Sequence, residues 1–93
     1  MKYIIKVNEL HISNGIPCHQ SACPVAAAIE EQLPGIFMVL VTELNVRLFF
    51  TGSRSIMVAL PDHVGIWMNQ YDRAAPANLK LPEPFEFELE VNP

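Results

Sequence analysis

Four side chains that could do chemistry crowd one stretch of the chain: His11, Cys18, His19 and Cys23. Together they supply the nitrogen and sulfur donors that a tetrahedral zinc ion takes. Their spacing, Cys-His-x-x-x-Cys with a histidine seven positions upstream, matches none of the usual structural-zinc patterns. Neighbours such as Cys18 and His19 also tend to point apart. The plainer reading makes Cys23 a small buried residue at a helix start and leaves His19 exposed. Cys23 has a second chemical reading as a reactive thiol. Just before a helix N-terminus, backbone N–H groups and the helix dipole favour the thiolate. Catalysis would further require a base such as His11, His19 or His63, together with oxyanion donors. Nothing in the spacing brings these together, so a structural cysteine is the preferred reading.

Three other groupings invite a functional reading. Asp62-His63 is an acid/base pair only by adjacency. Neighbours on a helix diverge by about 100°, so a capping Asp62 beside an exposed His63 is expected. Trp67, Met68 and Tyr71 recur at helical spacing, the pattern of a core stripe more often than of a pocket. Glu86, Glu88 and Glu90 alternate along the final strand. They would stand ~7 Å apart, too wide to hold one ion by themselves. A solvated face that discourages edge pairing is one reading, and an acidic surface for a basic partner is the other.

The elements that must position these groups are legible in outline. Residues 2–7 are β-branched and aromatic and predict a strand. Ser13 to Pro17 breaks regular structure. Cys23 to Leu33 predicts a helix of about ten residues, with Pro24 in its first turn and Pro34-Gly35 ending it. Three strands follow, at Phe37–Thr42, Val46–Phe50 and Ser55–Leu60. The first two form either a tight hairpin around Glu43-Leu44-Asn45 or one long bent strand. Thr51 to Arg54 is a turn. Asp62 to Asp72 predicts a second helix with Asp62 as its N-cap, weakened by Gly65. An extended connection carrying Pro76, Pro82 and Pro84 leads to the final strand. There Phe85, Phe87, Leu89 and Val91 share one face. The expected architecture is α+β: a mostly antiparallel sheet of four to five strands with two helices packed on one face, in a single domain spanning 1–93.

Several of these landmarks resemble a known group. His11-Ile12-x-x-Gly15, Cys23-Pro24-Val25-Ala26-x-Ala28-Ile29, Leu60-Pro61, Tyr71-Asp72 and Pro84-Phe85-Glu86-Phe87-Glu88-Leu89 together resemble small uncharacterised phage, prophage and bacterial proteins. Some members of that group place an earlier cysteine close to the Cys-Pro, whereas here Cys18 lies five positions before Cys23. The resemblance implies a setting, a phage or prophage accessory protein, and no activity.

Composition narrows the functional classes. The 93 residues are 51% hydrophobic and 17% charged, which excludes disorder for the bulk of the chain. Residues 1–80 carry six basic and six acidic groups, so the net charge of −4 comes from Glu83, Glu86, Glu88 and Glu90. A nucleic-acid binder needs a basic surplus that is missing here. No apolar run reaches the ~20 residues of a membrane span, and Lys6 interrupts any signal-peptide core. Two cysteines and no glycosylation sequon point to a cytoplasmic chain with reduced thiols. A Cys18–Cys23 disulfide fits the span but not that compartment. There is no Gly-rich phosphate loop, paired-acid motif or nucleophile elbow, and no cofactor is expected. The reading is therefore a non-enzymatic protein that binds an unidentified protein partner, with a homodimer through its apolar surface as one form of that. The alternative is a metal- or thiol-dependent protein built on Cys23 and the nearby histidines.

Overall fold

The computed structural model describes residues 1–92. In chain order the elements are β1 (Lys2–Val7), α1 (Glu9–Asn14), α2 (Pro24–Gln32), β2 (Ile36–Val41), β3 (Asn45–Phe50), β4 (Arg54–Ala59), α3 (Asp62–Ala74) and β5 (Phe85–Glu90). This is the α+β class with antiparallel pairing that the sequence implies. The strands divide, however, into two sheets, a β1–β5 ladder and a β2–β3–β4 meander, and the helices number three.

A side chain covers part of the free edge of β1. Gln32, at the end of α2, accepts a hydrogen bond from Lys6 N–H and donates one to Lys6 O, both 2.8 Å. Its amide thus occupies the backbone groups that a further strand would use along β1. Helix α2 lies against both β1 and β2, and the sheets meet through it.

The extra helix, α1, runs into the expected break and takes in Ser13 and Asn14, so the break begins at Gly15. Asn8 caps it: its side chain accepts from His11 N–H at 3.1 Å, and His11 Nδ1 accepts from Asn8 N–H at 3.0 Å. This reciprocal box normally pairs Ser or Thr with Glu or Gln. The Asn-x-x-His version does the same work without the usual signature.

The two readings of the central strands resolve as a hairpin. Thr42 N–H donates to Asn45 O at 2.8 Å. Thr42 Oγ1 also accepts from the N–H groups of Leu44 and Asn45, so one side chain organises the turn. The β3–β4 turn uses Gly52 and Ser53, both at positive φ.

Helix α3 begins with Pro61 in the capping position and Asp62 as its first residue. Pro61 offers no side-chain acceptor, so the expected Asp62 cap is not formed. The Asp62 carboxylate instead lies in the first turn, where it complements the dipole. Gly65 faces the β2–β3 turn, and a β-carbon there would collide with the carbonyl of Glu43.

The core runs unbroken through both sheets. It includes Ile5 and Val7, Val25 and Ile29, Val39, Val46 and Leu48, Val64, and Phe87 and Leu89. Trp67, Met68 and Tyr71 are buried in it, as a core stripe should be. Trp67 stacks on Tyr71 and Phe85, and its indole N–H donates to Glu83 O at 2.8 Å. Among the described residues, every buried side-chain nitrogen or oxygen has a partner.

Candidate functional site

The folded chain separates the four candidate metal ligands. Three of them, Cys18, His19 and Cys23, line a cavity of about 160 Å³ between the 15–23 loop, the end of β2 and the last turns of α3, with Glu43 and Asp72 also on its wall. His11 is elsewhere. It is buried, held at Nδ1 by Asn8, and its Nε2 lies 3.2 Å from Glu31 Oε2. Because Nδ1 accepts the Asn8 N–H, the neutral ring carries its proton on Nε2 and donates it to Glu31. Among the described residues, no three His, Cys, Asp or Glu side chains are grouped so as to hold a metal ion.

The cavity residues are each tied down by structure. Cys18 is exposed, adopts a left-handed φ of 58°, and donates its backbone N–H to Asp72 Oδ1 at 2.9 Å. His19 is exposed, and its Nδ1 accepts from Ser21 N–H at 3.3 Å. Cys23 is 4% exposed and is the N-cap of α2, with Sγ accepting from Ala26 N–H at 3.5 Å.

Cys23 is buried, as the preferred structural reading expects, and the alternative, a thiol activated by its place at the helix start, requires a lowered pKa. The direction is reversed. Burial strips the thiolate of water and pushes the pKa above its ordinary value of 9.0. The N–H groups of Ala26, Val25 and Cys23 itself pull the other way, and the nearby Asp72 charge adds to the rise. At neutral pH Cys23 is therefore a thiol and a poor nucleophile.

The final strand presents its glutamates as expected, but they are not alone. In the β1–β5 register Lys6 stands opposite Glu86, Ile4 opposite Glu88, and Lys2 opposite Glu90. The N-terminal ammonium is 3.6 Å from Glu90. The acidic stripe is thus flanked across the strand by two lysines, which reduces its field at any partner. His63 is exposed, and its Nε2 lies 3.4 Å from the backbone carbonyl of Glu86.

A different surface stands out, one that the sequence reading passed over. On the meander, Val39, Val41, Val46 and Leu48 point inward and are buried. The alternate residues form an outer face on which Met38 pairs with Phe49, and Leu40, Arg47 and Met57 lie in one row across the three strands. An irregularity between Ile36 and Met38 shifts Phe37 beside Phe49, with ring centroids 6.3 Å apart. Phe37 is 56% exposed and Met57 54%. Arg47 is the one charge in this group. The signal was present in the sequence: Ile36–Val41 is apolar at every position, not at every second one. Such a strand needs cover on both faces, and the fold supplies it on one.

No helix among the described residues is long and apolar enough to cross a membrane. Compared with known proteins, the chain matches no family model, no curated protein and no solved structure.

Proposed function

We propose that this protein works by binding another protein, without catalysis, through the outer face of the β2–β3–β4 sheet. One observation carries this reading. On the outer face of the meander Phe37 and Met57 are more than half exposed, and Met38, Leu40 and Phe49 lie half-buried beside them around the single charge of Arg47. Contiguous exposed apolar patches on small proteins commonly mark interaction sites, because leaving them in water costs about 25 cal/mol per Å². Such a role suits the small phage or prophage accessory proteins that the sequence motifs resemble.

The thiol- or metal-centred alternative draws on the cavity shared by Cys18, His19 and Cys23. Burial of Cys23, its capping bond to Ala26 and the distant commitment of His11 all work against it.

Site-specific photo-crosslinking in cells tests the proposal without knowledge of the partner. A photoreactive phenylalanine at position 37 should give protein adducts, while the same group at Glu88 should give only background. Equal yields at the two positions, or none at Phe37, would remove the outer face as the binding surface.

A further inference from the structure

We propose that the open border of this surface, the free edge of β4, pairs with a second copy of the same chain, β4 against β4 and antiparallel. The inference rests on the reading of the meander as the binding surface and adds the partner and the register.

The four strand edges differ in how they are closed. The β1 edge is clasped by the Gln32 amide. Beside β2, Val41 N–H donates to Gln20 O at 2.9 Å. The β5 edge carries Glu86, Glu88 and Glu90, charges that repel an incoming strand. Among the described residues, β4 has no such device. Ser55 to Ala59 contains no charge and no proline, and the β3–β4 ladder runs without a bulge.

The ladder fixes which backbone groups are free. Leu60 N–H donates to Leu44 O, so residues 60, 58, 56 and 54 bond toward β3 in an alternating antiparallel pattern. The N–H and C=O groups of Ser55, Met57 and Ala59 therefore point away from the sheet. A two-fold axis through Met57 matches these groups to themselves. Met57 meets Met57 of the other copy, and Ser55 meets Ala59 in both directions, each pairing exchanging two hydrogen bonds. Shifting the register by one residue pair in either direction leaves one of the three residues unmatched.

Side chains agree with this register. The paired methionines meet on the outer face, joining the two apolar surfaces into one. Ile56 of each copy meets Val58 of the other on the inner face, where both are only partly buried in the single chain. Arg54 lies opposite Leu60. The two Arg54 side chains end up roughly 20 Å apart, six residues at ~3.4 Å each, beyond the screening length of about 8 Å at physiological salt. No like charges meet, so the edge is complementary to itself.

Sedimentation velocity over a dilution series, combined with amide hydrogen exchange, tests this. The wild-type chain should dimerise reversibly. Amides of Ser55, Met57 and Ala59 should gain protection as concentration rises, while those of Ile56 and Val58 stay protected throughout. Met57→Pro removes an outward donor from each copy and leaves the β3 ladder intact, as proline is tolerated on an edge strand. It should weaken dimerisation at least about tenfold. Met57→Lys, which sets two ammonium groups face to face, should do the same and serves if the proline variant does not fold. A wild-type chain that is monomeric at millimolar concentration overturns the proposal. So does a dimer in which those three amides stay unprotected, or one that neither variant weakens. A monomer whose Phe37 position crosslinks to a different protein would refute the second copy and leave the outer-face reading standing.

Discussion

At the scale of single residues, two buried groups show how environment overrides local expectation. Cys23 sits where a helix dipole should favour its thiolate, yet desolvation wins, because a buried anion loses more hydration than three backbone N–H groups restore. Tyr71, one helical turn from Met68 and 2% exposed, uses its hydroxyl on the carbonyls of Gly15 at 2.9 Å and Ile12 at 3.1 Å. This ties α3 to the loop after α1. Burial first, then the charge of Asp72 and the neighbouring Cys23, raise the Tyr71 pKa above its ordinary 10.0. A raised folded-state pKa means that the native state holds the proton more tightly than the unfolded chain. The resulting stability is complete below the unfolded value and is lost as pH rises toward the folded one. Unfolding free energy should therefore decline from about pH 9, where unfolded Cys23 begins to ionise, and more steeply above about pH 10. Tyr71→Phe should cost about 1–2 kcal/mol at neutral pH, since the single hydroxyl proton shared between the two carbonyls is lost. It should also flatten the decline above pH 10. Urea titrations across that range measure both, and a variant whose profile runs parallel to wild type would refute the assignment.

Among the elements, α3 makes the sharpest prediction. On helix propensity alone, Gly65→Ala should stabilise by about 1 kcal/mol. The close approach of Glu43 reverses the sign, because the clash is with backbone of the β2–β3 turn and not with a flexible side-chain end. Net destabilisation of about 1–3 kcal/mol is expected, read as a lower denaturation midpoint; an unchanged or raised midpoint would show that the turn yields. The same helix marks what could be read in the sequence. Its period was clear from Val64, Trp67, Met68 and Tyr71, whereas the reason for its glycine lay in a turn twenty residues upstream. Strand β5 was legible because it alternates in type, and β1 because its residues are β-branched and aromatic. Helix α1 was not, since six residues are too few for a period and its capping pair is an unusual one. The division into two sheets was not legible, and Gln32, which closes part of the β1 edge, has no local signature for clasping an edge. The candidate site followed the same logic. Cys18, His19 and Cys23 do share a cavity, as their nearness in sequence suggested, but His11 is drawn away by Asn8 and Glu31.

For the molecule as a whole, the decisive feature is asymmetry between two sheets. The chain measures about 40 × 21 × 20 Å. The β1–β5 ladder carries two lysines, three glutamates and the exposed Ile4 on its outer side, whereas the meander turns its outer side to water with aromatic and sulfur-containing groups. A functional surface of this kind differs from a core in one measurable respect: it can be changed without loss of stability. Phe37 touches Phe49 on the outside and faces away from the buried residues. Phe37→Ser should therefore move the unfolding free energy by no more than about 0.5 kcal/mol, the usual range for a surface position. It should also reduce adsorption of a hydrophobic dye and weaken partner capture. Loss of more than about 1–2 kcal/mol would instead make Phe37 a structural residue completing the hairpin. The two outcomes separate a surface kept apolar for binding from one that is apolar because the chain needs it to fold.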